Sequence, residues 1–578
     1  LHPQNNDGQE IMKILILSSA FSGLTQRVQR ELQGLGHQLT LHINLNETEL
    51  RRQLNKFQPA LVVCPFLTQR IPEDIWQQWA CLVVHPGIEG DRGPSSLDWA
   101  IQEGCEQWGV TLLQADRDMD AGNIWGTAVF PVRQASKLSV YKREVSTAAV
   151  ELIKKAVIDY HNPFFHARQL DYSDPKVQGV LRPLMKQPVR AIDWQSESTD
   201  TIINKLNAAD TSPGIADTLY GSEVNMYGAV EETTLRGKSS GEKPGAVIAY
   251  TDEAICRATV DGAVWIRQLL CKNSSQLPAT KLPAAMVLKT LINPKTLKAI
   301  PHIAAPESID DIRVERRGAA AYFYFNCYNG AFSTAQCKVL LRQLQEIKQG
   351  DARFIVFMGG EDFWSNGIHL NCIEAAEDCA EESWQNINAI DDVVLEMINC
   401  PNQVTIAALR NNSGAGGSIM ALACDEVIVR EGTIHNPHYK SMGLYGSEYW
   451  TYLLPKKVGK RQAKKLMDAC EPLLAAEAMA IGFADLSFSE DWALFHQALC
   501  EHVDKLCQHM NVESFLQAKN KQRQADEMRK PLKAFRQAEL QHMRNIFFNP
   551  NSDYHRLRRN FVIKAKSALK VPEKAMPH

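Results

Sequence analysis

From Met12 the chain alternates short, wholly apolar runs with amphipathic stretches: MKILILS, then LTQRVQRELQGLG, then LTLHI, ALVVCPFL, CLVVHPGI and GVTLLQAD. A run that is apolar at every position is a strand buried on both faces, and the helical stretches between such runs supply the covering layers. This pattern predicts a Rossmann-like α/β domain around a mostly parallel sheet, closed by a long helix over 138–160. The pattern returns from Ile309, with AAAYFYFN, a helix over 334–348, ARFIVFMGG, QVTIAAL and DEVIVREG. Between the two lie GIADTLYG, VNMYGAV, PGAVIAY, ICRATVDG and AVWIRQL, short runs separated by turns that predict a small β-barrel or sheet module.

The fold class expected is therefore α/β multidomain, and a chain of 578 residues is too long for a single core. The divisions read from the sequence are 1–11, a tag remnant or disordered leader; 12–187, the first α/β domain; and 188–275, the β module. A Pro- and Lys-rich linker over 276–308 follows, then the second α/β domain over 309–490 and a helical C-terminal extension over 491–578. A net charge of -3 provides no global basic field to recruit nucleic acid. The 14 cysteines include no CxxC pair, which argues against zinc fingers and a secreted disulfide framework. With no apolar stretch long enough for a membrane span and no secretory signal, a soluble cytoplasmic protein without membrane partners is expected.

Residues 81–104 read CLVVHPGIEGDRGPSSLDWAIQEG: a buried strand ends at His85 and enters a glycine-rich loop. Open α/β sheets bind ligands at such strand ends. A second strand, LLQADRDMDAGNI, leads to Asp120, and a His and an Asp at neighbouring strand ends can share a proton. Spacing alone favours a satisfied core histidine and a turn-capping aspartate. The wording of the motifs shifts that balance. HPGIEGDRGPSSLDWA followed by DAGNI resembles the 10-formyltetrahydrofolate transferases and hydrolases, and the IDW at 192–194 with the following β module resembles that family's OB-like second domain. The resemblance implies catalytic roles for His85 and Asp120, folate contacts from Gln114, Asp116 and Asp118, and substrate orientation by Arg92. Asp116 and Asp118 equally fit a solvated charged loop. The family carries an asparagine two residues before the histidine, donating to the developing oxyanion; this chain has Val83. Losing such a donor costs about 3 kcal/mol of barrier. Either a backbone N–H, Gln69 or Gln114 replaces it, or a thiol acceptor needs less help.

Further on, DFWSNGIHLN and NNSGAGGSIMALACD place two glycine turns after two strands, an arrangement able to aim two backbone N–H groups at one carbonyl. SNGIH, GAGGSIMALACD and AAEAMAIGFAD resemble the enoyl-CoA hydratase/isomerase (crotonase) family over about 309–488. The resemblance implies an oxyanion pair at Ile368 and Gly416 and a thioester substrate. The family's two hydratase glutamates fall at Ile419, a residue lining the thioester pocket, and at Tyr439, a proton donor or relay; ordinary hydration is thus not expected. Ser365 and Ser418 offer further hydroxyls on the turns. HNPH (His435, His438) has a metal-like look, but Pro437 disfavours joint presentation of the rings, and no metal is expected. Arg133 and the cluster Arg556, Arg558, Arg559 are candidate contacts for coenzyme A phosphates, with a solvated basic helix end as the alternative for the cluster.

A formyl-folate domain ahead of a thioester domain is uncommon. With KPLKAFRQAELQHM and YHRLRRNFVIKAK near the C-terminus, the pairing resembles a family of nickel–iron hydrogenase maturation proteins over essentially the whole chain. That resemblance implies two steps, formyl transfer from 10-formyltetrahydrofolate to coenzyme A and then decarbonylation of formyl-CoA to carbon monoxide. It also implies other hydrogenase maturation proteins as partners. A formyltransferase on an inert crotonase scaffold, and a non-catalytic folate- or CoA-binding partner, remain open at this stage.

Overall fold

Alternate residues of the apolar runs point to opposite faces of a six-stranded sheet, and each face has its own helical cover. In the computed structural model, which describes residues 10–44, 46–235 and 241–564, the chain divides after Ile309 into two compact units. The first unit opens with strands β1 (Lys13–Ser18), β2 (Gln38–Ile43), β3 (Leu61–Cys64), β4 (Ala80–His85), β5 (Gln107–Gln114) and β6 (Ile124–Pro131). Their order is β2-β1-β3-β4-β5-β6, parallel as far as β4 and antiparallel beyond it. Ile14, Ile16, Val63, Leu82 and Val84 pack with Leu24, Val28 and Leu32 of the helix Gly23–Gly34 and with Ile153 and Val157 of Ser146–Asp159. Leu15, Leu17, Val62 and Cys81 face the other way, onto Leu50 and Leu54 of Glu47–Phe57. This is why the runs are apolar at every position. The long helix expected over 138–160 is three continuous pieces, with a π turn over Tyr141–Val145.

Among the described residues the β module is a six-stranded sheet, five of its strands in the order Ile215–Leu219, Ser222–Glu231, Ala263–Cys271, Ile255–Ala258, Val247–Tyr250. The expected linker over 276–308 is instead folded onto it. Lys281–Pro283 pairs antiparallel with Gln268–Leu270, and the helix Ala284–Leu291 buries Ala285, Val287 and Leu288. Its lysines and prolines read as linker, but the apolar residues between them are core.

In the second unit the sheet order is Ile312–Arg317, Ala320–Phe325, Phe354–Gly359, Val404–Leu409, Glu426–Arg430, Leu486–Phe488, parallel after the first hairpin. Phe323, Phe325, Ile355, Phe357 and Leu409 join one core, while Tyr322, Tyr324, Phe354, Val356 and Ile406 join another with Phe495, Leu499 and Val503 of the helix Trp492–His509. The helical extension continues through Val512–Arg529, Leu532–Phe547 and Asp553–Val562. Leu540, Met543, Phe547 and Tyr554 of the last two helices belong to the first of these cores. Residues 1–9 of the expected leader and 565–578 of the basic tail lie outside the described residues.

Candidate active sites

His85 is the last residue of β4, and its ring is buried, 4% exposed. The loop after it is pinned by side chains: Trp108 Nε1–H and Ser96 Oγ–H donate to Pro86 O at 2.9 and 2.8 Å, and Thr111 Oγ1–H donates to Gly87 O at 2.9 Å. The ring lies between two carboxylates. Nε2 is 2.8 Å from Asp91 Oδ2, and Nδ1 is 3.5 Å from Asp120 Oδ1. Asp120 has a left-handed backbone (φ 56), and its Oδ2 accepts from Gly93 N–H at 3.1 Å, tying the acidic loop to the histidine loop. Arg92 Nε–H donates to Met119 O at 3.2 Å across the same junction.

The other residues named for folate are less convergent. Gln114 Oε1 accepts from Trp125 Nε1–H at 3.2 Å, which leaves its amide donors outside that bond. Asp116 and Asp118 are exposed, with Asp116 Oδ1 accepting from Arg117 N–H at 2.6 Å; Gln69 is exposed as well. Arg133 is held by Glu144 through an ion pair, and its Nη2–H donates to Ser139 Oγ at 3.1 Å, so a phosphate there competes with a carboxylate. Asp91 was missed by the sequence reading. Its signal was the second of two acids inside the glycine loop, six residues after the histidine.

In the second unit the two glycine turns are stapled side by side. Gly414 N–H donates to Ser365 O at 2.9 Å, Trp364 N–H to Asn412 O at 2.9 Å, and a Cβ added to Gly367 would stand 3.3 Å from Gly416 N. Gly416 begins the helix Gly416–Met420, where an N–H has no intrahelical acceptor. Ile368, on the short strand Gly367–Ile368, follows the facing turn. The amides of Ile368 and Gly416 thus belong to adjoining turns, as an oxyanion pair requires.

A carboxylate stands against these turns. A Cβ at Gly416 would overlap the Glu448 side chain. Glu448 Oε2 accepts from Tyr439 O–H at 2.7 Å and from Ser447 N–H at 3.2 Å. Burial, followed by the charge of Asp391, pushes the Glu448 carboxyl up to about 8; burial also lifts Asp391, to about 6. The Tyr439 hydroxyl is raised by burial and then by the neighbouring Glu448 charge. Glu448 and Tyr449 both hold left-handed backbones (φ 58 and 60), and Asp391 Oδ1 accepts from Glu448 N–H at 2.8 Å. Non-glycine residues in this conformation cost energy and persist where surrounding contacts enforce them. Counting along the matched segments found Tyr439 but not this glutamate, which stands beside the tyrosine from further along the chain. No motif led to position 448.

The remaining residues are built into the scaffold. Ser365 Oγ accepts from Gly367 N–H at 3.2 Å, and Ser418 Oγ lies 3.0 Å from Ser413 Oγ; both serines are fully buried. Ile419 is fully buried within the core. His435 contacts hydroxyls at both nitrogens, Ser413 and Thr433, each at 2.9 Å, and burial followed by the Arg430 charge lowers it to about 3. Among the described residues no group of three His, Cys, Asp or Glu could hold a metal ion. Arg558 is buried and donates to Glu374 Oε2 at 2.8 Å, which makes it a tie for the C-terminal helix rather than an open phosphate contact; Arg556 is exposed and paired with Asp553 at 2.8 Å.

Comparison with known proteins agrees with this architecture. Residues 23–157 match the formyl transferase family, 184–283 the formyl transferase C-terminal domain, and 326–561 the enoyl-CoA hydratase/isomerase family. The hydrogenase maturation factor HoxX of Bradyrhizobium diazoefficiens is 40% identical over 96% of this chain and 95% of its own length. The methionyl-tRNA formyltransferase of Thermotoga neapolitana is 24% identical over 41% of this chain and 72% of its own. The crystal structure of HypX from Aquifex aeolicus in complex with tetrahydrofolic acid superposes with a TM-score of 0.89 at 37% identity, covering 96% of each chain. No helix among the described residues is long and apolar enough to cross a membrane.

Proposed function

The chain belongs to the HypX/HoxX family of hydrogenase maturation factors, and on that premise we propose that it makes carbon monoxide in two steps. In the first, the thiol of coenzyme A attacks the formyl carbon of 10-formyltetrahydrofolate; the C–S bond forms, the C–N10 bond breaks, and the thiol proton ends on N10. His85 and Asp120 stand where that proton must pass. Folate at this site is supported by the relative solved with tetrahydrofolic acid.

In the second step formyl-CoA loses its formyl proton and its C–S bond, giving CO and free thiol. The amides of Ile368 and Gly416 hold the carbonyl oxygen, and a proton donor must meet the departing sulfur. The observation that carries this reading is the Tyr439–Glu448 pair. Oε2 of Glu448 is taken by two donors, so a carboxyl that stays protonated through neutral pH bears its proton on Oε1. Oε1 is also the oxygen nearest Gly416. A protonated acid delivers a proton to sulfur and does not activate water, which separates decarbonylation from hydration. Tyr439 relays the proton back from the formyl carbon.

Coenzyme A as the acyl carrier is supported by the enoyl-CoA hydratase/isomerase match. We place the reaction in the cytoplasm, with the hydrogenase maturation machinery as the recipient of CO. The test is synthetic formyl-CoA given to the pure protein without folate, with the headspace assayed by a haem reporter. CO release is expected; formate without CO overturns the decarbonylation step.

A further inference from the structure

We propose that Asp91 is the positioning residue of the formyl-transfer site: it holds His85 in the tautomer with hydrogen on Nε2 and thereby leaves Nδ1 free to take the proton of the acceptor thiol. The inference rests on the formyl-transfer reading given above and assigns a role to a residue outside the His–Asp pair.

The contact is built rather than incidental. The Asp91 side chain is 1% exposed, and its Oδ2 lies 2.8 Å from His85 Nε2. A Cβ at Gly87 would overlap both of these atoms, so the approach depends on a glycine there. The loop is braced from behind by residues 177–182. Gly179 N–H donates to Glu89 O at 3.0 Å, Arg92 N–H to Val180 O at 3.2 Å, and Arg182 N–H to Arg92 O at 2.9 Å. Any side chain at Gly179 would collide with the backbone at Asp91. Two glycines far apart in sequence thus leave room for one carboxylate to reach one ring. Asp91 Oδ1 is buried with no partner among the described residues, so the hydrogen bonding of this carboxylate is committed to the histidine.

The chemistry follows from donor counting. An ionised carboxylate only accepts, so Nε2 must carry the hydrogen, and Nδ1 is left with a lone pair. Nδ1 faces Asp120 Oδ1 at 3.5 Å, beyond hydrogen-bond length, while Asp120 Oδ2 is occupied by Gly93 N–H. Two acceptors therefore look toward the same space, and the proton that satisfies them is that of the incoming thiol. Nδ1 takes it as the C–S bond forms and returns it to N10 as the C–N10 bond breaks. With the opposite tautomer Nδ1 carries a hydrogen and cannot accept. In the Ser-His-Asp enzymes, loss of the analogous carboxylate by Asp→Asn, which sets the wrong tautomer, drops kcat about 10⁴-fold, whereas one missing oxyanion donor costs about 10²–10³-fold.

The test uses the full chain. Selective ¹⁵N-histidine labelling of the wild type is expected to report hydrogen on Nε2 of His85, assigned by loss of the signal in His85→Gln. Asp91→Asn, nearly isosteric, is expected to move that hydrogen to Nδ1. It should slow tetrahydrofolate release on mixing formyl-folate with coenzyme A by at least 10²-fold, with tetrahydrofolate Kd changed less than about 3-fold. Gly87→Ala, which forces the two groups apart without altering Asp91, should shift the tautomer the same way. Hydrogen on Nδ1 in the wild type overturns the inference, as does Asp91→Asn turning over at the wild-type rate or slowing with its tautomer unchanged. A wild type that binds folate but never transfers to coenzyme A removes the functional reading instead, and the tautomer measurement still decides the role of Asp91.

Discussion

Replacing Glu448 by glutamine keeps the shape of the side chain and removes its proton, and the structure sets how stability should respond to pH. Burial and Asp391 lift this carboxyl from its ordinary 4.5 to about 8, and it is 1% exposed. Between those values the unfolded chain has released a proton that the native protein retains. Each pH unit in the window therefore lowers the stability of the native state by about 1.4 kcal/mol. The contribution is whole below pH 4.5 and gone above pH 8, a total on the order of 5 kcal/mol. Glutamine does not titrate. The stability of Glu448→Gln relative to wild type should thus climb steadily from pH 5 to pH 8 and then level off, by several kcal/mol. Urea unfolding of the full chain at unit pH steps, followed by tryptophan fluorescence, measures this. CO release from formyl-CoA should fall 10²–10⁴-fold in the same variant, since the proton donor is gone. A relative stability that does not vary with pH, or CO release at the wild-type rate, would remove Glu448 from the role of buried proton donor.

Three further outcomes are expected. His85→Ala and Asp120→Ala should keep tetrahydrofolate binding by calorimetry yet slow formyl transfer by 10²-fold or more, because the proposed reaction passes the thiol proton between these two neighbouring side chains. Tyr439→Phe should reduce CO release about 10²-fold and cost about 1–3 kcal/mol in unfolding experiments, since Glu448 Oε2 loses its short donor inside a buried site. Gly416→Ala should abolish CO formation while leaving folate-dependent formyl-CoA synthesis intact by mass spectrometry, because the new methyl group occupies the place of the Glu448 carboxyl group.

The sheets were legible because their strands are apolar on both faces: Leu15 and Ile16, or Phe323 and Tyr324, enter different cores although adjacent in sequence. His85, Asp120 and Tyr439 were legible because each sits in a string of motif residues with fixed spacing. Asp91 lay within a quoted motif and still went unassigned, since only the glycine-dependent folding of the loop turns it toward the ring. Glu448 was illegible for a similar reason. Its approach to Gly416 depends on two successive left-handed residues held by Asp391, 57 positions earlier, and no local pattern announces that conformation. Composition misled in two places. Lysines and prolines disguised the buried Leu282 and Leu288 as linker, and the arginines near the C-terminus suggested a phosphate site where Arg558 pairs with Glu374, 184 positions away.

The proposed two-step reaction makes a stoichiometric demand: coenzyme A would be consumed by the first step and returned by the second. The most direct measurement supplies ¹³C-formyl-folate in excess with coenzyme A at a small fraction of its concentration, and follows labelled gas and tetrahydrofolate together. One ¹³CO is expected for each tetrahydrofolate released, with many turnovers per coenzyme A and no gas when coenzyme A is left out. Label recovered as formate, or CO evolved without coenzyme A, contradicts the two-step reaction.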